Sequence, residues 1–113
     1  MLPSVTPDEL ARRLQILYPG GPLDQQVDAA LLTAVELLAA QVDDTLANLY
    51  PNTWREAALA TGVKVWDASA KGLAGMDAVG EFTFPAPSAS AGILESTRGL
   101  WGRLTLTGGN VVA

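Results

Sequence analysis

The sequence contains no cysteine and no histidine. The first absence rules out a disulfide framework and a thiolate nucleophile, and the second removes the commonest general base and metal ligand. Cations are few and scattered: seven Lys and Arg stand against twelve Asp and Glu, and only Arg12 and Arg13 are adjacent. Proteins that hold nucleic acid tightly need clustered cations to displace counterions from phosphates, so DNA or RNA binding through this surface is not expected. A long apolar run is missing as well. The richest, Ala29–Ala40, is interrupted by Thr33 and Glu36 and is too short to cross a bilayer. Met1–Glu9 has neither the basic start nor the apolar stretch of a secretory signal. A soluble protein made and used in a cytoplasm is the expectation.

What is present suits a single domain. The chain has 113 residues, an apolar fraction of 49% and a formal net charge of −5, enough for one core but with much surface left exposed. Thr6-Pro7-Asp8-Glu9 is a helix-start signal. A threonine cap, a proline at the first helical position and an acid placed to complete a capping box predict a helix over Pro7–Leu17. The Tyr18-Pro19-Gly20-Gly21-Pro22 turn ends it.

From Leu23 to Leu49 apolar residues recur at spacings of three and four: Leu23, Val27, Leu31, Ala34, Val35, Leu38, Val42, Leu46 and Leu49. This predicts one long helix. Leu32 and Leu37 flank its stripe, which is either a wide core-facing band or one side of a helix shared with a neighbouring subunit. Tyr50-Pro51-Asn52 breaks it, and Thr53-Trp54-Arg55-Glu56 opens a third helix running to about Ala70. Gly62 weakens that helix or permits a close approach. Trp54, Ala58, Gly62 and Val65 share one side, with Leu59, Val63 and Trp66 on an adjacent one.

After Lys71 the pattern changes. Gly72, Gly75 and Gly80 space a loop, Glu81-Phe82-Thr83-Phe84 alternates like a short strand, and Pro85–Ser90 is expected to be irregular. Ile93, Thr97, Leu100, Trp101 and Leu104 return to helical spacing, weakened by Gly99 and Gly102. The expected fold is mainly α: a small helical bundle (residues 1–71) with one long central helix, then an extended arm or loop and a short C-terminal helix or strand tail (residues 72–113), in one structural domain.

Chemistry is harder to place. Asp43 and Asp44 are adjacent, and Asp24 and Asp28 are one turn apart, but neighbouring helical residues point in different directions and are poorly arranged to share a proton or cation. No phosphate-binding lysine follows Gly20-Gly21 or Gly108-Gly109, and no dinucleotide fingerprint is present. The expectation is a protein that is not an enzyme, with no cofactor, no metal and no membrane partner.

The order of helices, then Val79-Gly80-Glu81-Phe82-Thr83-Phe84, then a small-residue loop, then Ile93-Leu94-Glu95-Ser96-Thr97-Arg98-Gly99-Leu100-Trp101 resembles the head-to-tail connector (adaptor) proteins of tailed bacteriophages. The likeness covers nearly the whole chain in order and spacing, although its motif is loose. Gly99 and Gly102 depart from the better helix formers usual in the family's terminal helix. The resemblance implies a virion protein at the head–tail interface, assembled in the host cytoplasm into a ring of roughly twelve identical subunits. Such a ring docks on the portal protein, extends the DNA channel without binding DNA specifically, and receives the next tail connector.

Ring contacts of this kind are heterologous and need two different patches. Candidate interface residues are Leu32, Leu37, Leu59, Trp66, Leu100, Trp101, Leu104 and Leu106, with Glu81, Phe82, Thr83 and Phe84 as an arm adding a strand to a neighbour. Asp24, Asp28, Glu36, Asp43 and Asp44 either line the channel, repelling phosphate, or solubilise an outer face. Two alternatives remain: another head-completion or tail-terminator component, or a small helical interaction or regulatory module.

Overall fold

The computed structural model describes residues 2–74 and 87–105. The Glu81–Phe84 arm and Leu106 lie outside the described residues. Helix α1 spans Pro7–Leu14 and opens at the expected cap: the Thr6 backbone N–H and hydroxyl both donate to Glu9 Oε1, at 3.2 and 3.0 Å. It stops three residues before the expected Leu17. Gln15 takes the left-handed conformation (φ 59°), and Ile16 N–H donates back to the Ala11 carbonyl at 3.1 Å. This is a Schellman ending built without glycine.

The turn that follows is fastened by carboxylates of the next helix, α2 (Asp24–Ala39). Asp24 accepts from Gly20 N at 2.8 Å and Gly21 N at 3.1 Å, and Asp28 accepts from Tyr18 Oη at 2.7 Å. Gly21 has no room for a side chain, because a Cβ there would lie 2.4 Å from the Leu17 carbonyl oxygen.

The stripe from Leu23 to Leu49 is carried by two helices rather than one. Asp43 is extended (φ −92°, ψ 129°), and its carboxylate accepts from Leu46 N at 3.1 Å, capping a short α3 over Asp44–Leu49. Apolar spacing runs through the break without a gap, since Leu38 and Val42 are buried on one side of it and Ala47 on the other. Periodicity alone therefore conceals the break.

The long central helix is instead α4, Pro51–Ala74, which exceeds the expected range at both ends. Pro51 opens it as a first-turn proline. Residues Trp54, Ala57, Ala58, Thr61, Gly62 and Val65 of α4 are buried, and α4 touches α1, α2, α3 and the C-terminal helices. Leu10 of α1 sits directly over Gly62; a Cβ there would meet Leu10 Cδ1 and Cδ2 at 3.1 and 3.2 Å. The glycine permits the close approach.

Helix α5 begins at Pro87, inside the stretch expected to be irregular, and runs to Ser96. Proline at a helix start costs no hydrogen bond, and the following small residues do not oppose helix. The short α6 (Arg98–Trp101) and a 3-10 turn (Gly102–Leu104) follow. This terminal segment lies back on the bundle. Ile93, Trp101 and Leu104 are buried; Thr61 Oγ1 donates to Thr97 Oγ1 at 3.0 Å; and Asp43 N–H donates to the Leu104 carbonyl at 2.7 Å. Its described part shares a core with residues 2–68.

That core has two clusters. One joins Leu10, Ala11, Val27, Ala30, Leu31, Ala34, Leu59, Val65 and Ile93. The other joins Leu38, Val42, Ala47, Trp54, Ala57, Ala58, Trp101 and Leu104.

Two substitutions test this packing by denaturant unfolding. Gly21→Ala forces a methyl group into a carbonyl and lowers stability by about 1–3 kcal/mol. Leu104→Ala empties a fully buried site and costs about 2–5 kcal/mol; a loss below about 0.5 kcal/mol would place the terminal segment outside the folded unit.

Candidate interaction surface

The sequence candidates divide sharply once placed. Leu59, Trp101 and Leu104, expected at an interface, lie in the chain's own core. Trp101 and Leu104 are buried because the terminal segment returns to pack with Leu38, Ala47 and Trp54, and Leu59 is covered by Leu10, Val27 and Leu31 of α1 and α2. Trp101 Nε1 also donates to the Leu94 carbonyl at 2.9 Å, and the Arg98 guanidinium lies 5.9 Å from its ring centroid. Leu37 and Trp66 are half-buried against the first cluster, and Leu100 against the second. Leu32 alone among the described candidates is largely exposed.

Large apolar side chains outside the core are Leu32 (59% exposed), Leu17 (69%), Leu49 (64%), Tyr50 (56%) and Leu23 (37%). Four of these were not among the interface residues expected from sequence. Leu17 is stranded by the early end of α1. Leu23 precedes α2, and Leu49 and Tyr50 fall at the end of α3, where the helical stripe no longer governs orientation. The Tyr50-Pro51 break was the available signal for the last two.

The five acids expected to act alike have different surroundings. Asp24 and Asp43 are half-buried and occupied by backbone N–H groups, and Asp28 holds Tyr18. Glu36 and Asp44 are exposed. Along the outer ridge of α2, Asp28, Leu32 and Glu36 recur at four-residue intervals, all exposed.

Charge is segregated by segment. No Lys or Arg occurs between Arg13 and Arg55, while that interval contains all five of these acids; elsewhere seven acids balance seven cations. The whole net charge therefore belongs to the α2–α3 region. The α1–α4 face is matched locally: Arg13 pairs with Glu56, Arg55 with Glu9 at 3.6 Å, and Arg12 with Asp8 at 3.5 Å.

Among the described residues, shallow grooves accompany these surfaces, and two of the grooves bear on the candidates. One, of about 470 Å³, is lined by Asp8, Ala11, Arg12, Ile16, Tyr18 and Pro19; the other, of about 270 Å³, by Asn52, Thr53, Glu56, Gly99, Leu100 and Arg103. Among the described residues, no three acidic side chains converge on a point that would hold a metal ion, and no helix is long and apolar enough to cross a membrane.

No protein-family model, curated protein or solved structure matches the chain.

The Tyr18–Asp28 pair supplies a direct test of the placement of the acids. The Tyr18 hydroxyl is pushed up to about 12 from its ordinary 10.0, first by donating to Asp28, then by desolvation and by the nearby charges of Asp28, Asp24 and Asp8. A raised value in the folded state means the protonated hydroxyl stabilises the fold. That contribution is complete below pH 10 and disappears as pH rises through about 12. Near-ultraviolet titration should show a late phenolate step that Tyr18→Phe removes and Asp28→Asn lowers. A step unchanged by Asp28→Asn would mean the two groups do not meet.

Proposed function

We propose that the protein is a structural subunit, a head-to-tail adaptor of a tailed bacteriophage. It assembles into a ring of roughly twelve copies beneath the portal, extends the DNA channel and receives the next connector. The observation that carries the reading is the set of large apolar side chains left outside an otherwise closed core: Leu17, Leu23, Leu32, Leu49 and Tyr50. Exposed apolar side chains are individually common, and a ring joins two unlike patches of each subunit. These residues lie in α2, α3 and the flanking turns. The order of segments ending in Ile93–Trp101 supplies the likeness to the connector family.

The interface is accordingly assigned to Leu32 and the four other exposed residues, with Trp101 and Leu104 holding the subunit together. The acidic α2–α3 region suits the channel side of such a ring. Carboxylates facing a passing duplex repel its phosphates, so DNA moves without being trapped. Asp28 and Glu36, exposed on the α2 ridge, carry this part of the reading better than Asp24 or Asp43.

One observation favours a competing reading. Because the terminal segment fills its own groove, the chain also suits a monomeric helical module that binds a partner along α2.

Leu32→Glu separates the two roles of the apolar residues. Position 32 is exposed, so folding stability should change by no more than about 0.5 kcal/mol. In a phage lacking the gene, the substituted protein should restore infectious particles at least about tenfold less well than the native chain, as expected when a contact of about 1.4 kcal/mol is lost. Particles without the protein should be filled heads that leak DNA or carry no tail. Normal tailed, infectious particles in its absence would refute the adaptor reading.

A further inference from the structure

The two ends of the described chain meet at one buried indole. Trp54 is fully buried in α4, and its Nε1 donates to the Pro3 carbonyl at 2.9 Å. Leu2 packs against the apolar cluster that holds Trp54, Trp101 and Leu104, and Val5 packs against this cluster and the other one. The terminal segment is registered there from its other side, since the Leu104 carbonyl accepts from Asp43 N–H at 2.7 Å.

Residues 2–6 precede α1 and have no helix to hold them. Beyond the local cap at Thr6, this stretch is tied to the body by the Trp54 indole. Its placement therefore depends on the indole keeping its position. The indole keeps it because Trp101 and Leu104 close the cluster from the C-terminal side. Removing that closure admits water beside Trp54 and weakens the apolar contacts that seat Leu2 and Val5.

We infer that residues 2–6 and residues 97–105 form one cooperative unit, coupled through Trp54, and that release of either end loosens the other. Coupling of this kind is reciprocal: a partner that captures the terminal segment frees the N-terminal one, and the reverse holds equally. Subglobal units of this size open without unfolding the remainder of a protein. The inference does not depend on the proposed function.

Limited proteolysis of the full chain with a nonspecific protease in native buffer, with cleavage sites read by mass spectrometry, tests it. Leu104→Ala should speed cleavage about tenfold within residues 2–6 as well as within residues 97–105, while the middle of α2 stays resistant. Trp54→Phe, which keeps a ring but removes the donor to Pro3, should speed cleavage in the same two regions. Val65→Ala, a truncation in the other apolar cluster, which Val5 also touches, should speed cleavage within residues 2–6 less than Leu104→Ala does. If Leu104→Ala does not fold, Leu104→Val carries the same comparison with a smaller effect. Unchanged cleavage within residues 2–6, or an equal acceleration in Val65→Ala, overturns the coupling.

Discussion

The bundle depends on how closely other elements can approach α4. Between its two tryptophans, α4 presents Ala57, Ala58, Thr61 and Gly62 to the interior. Small side chains let neighbouring helices pack close to the α4 backbone, and Gly62 admits Leu10 to near van der Waals contact. Around this thin waist, α1 and α2 close on one side and the terminal segment on another. A larger residue at 62 would push α1 outward and open the first cluster. Trp54 does the opposite work at the start of the helix, filling the wider space between α3, the terminal segment and residues 2–5.

Carboxylates serve the fold more than the sequence suggests. Asp24 and Asp28 hold the 18–22 turn, Asp43 starts α3, and Glu9 completes the cap of α1. Each satisfies donors that a helix end or a tight turn would otherwise leave open. The acidity of α2–α3 thus has a local cause for three of its five members. In the proposed reading the exposed Asp28 and Glu36 also act at long range on DNA, since a hydrogen-bonded carboxylate keeps its charge.

Much of the architecture was legible in the residues, and the exceptions share a cause. Mainly helical structure, the Thr6 cap and the Tyr18–Pro22 turn follow from local signals of capping and breaking, whereas α4 starts at Pro51, inside the expected break, and Thr53 lies within the helix instead of capping it. The break at Ala40–Asp43 was hidden because Leu38, Val42 and Leu46 keep helical spacing across it, and Asp43 looks like any polar residue on a helix face. Similarly, nothing in Gln15 announces a left-handed conformation. The candidate surface was less legible. Burial of Trp101 and Leu104 is set by a tertiary contact with Leu38, Ala47 and Trp54, which no spacing within residues 93–104 reveals. Among the described residues, the large exposed apolar side chains therefore lie on α2, α3 and the turns rather than on residues 93–104.

The proposed function joins a subunit closed around α4 to a smaller exposed apolar remainder that would serve assembly. Its most direct measurement is the mass of the purified full-length protein in solution, by light scattering across a wide concentration range, alone and with the portal of the same particle. The account predicts a folded subunit that gathers on the portal in multiple copies, consistent with a ring. A protein that stays a single folded subunit under every condition, with no association with the portal, would contradict it.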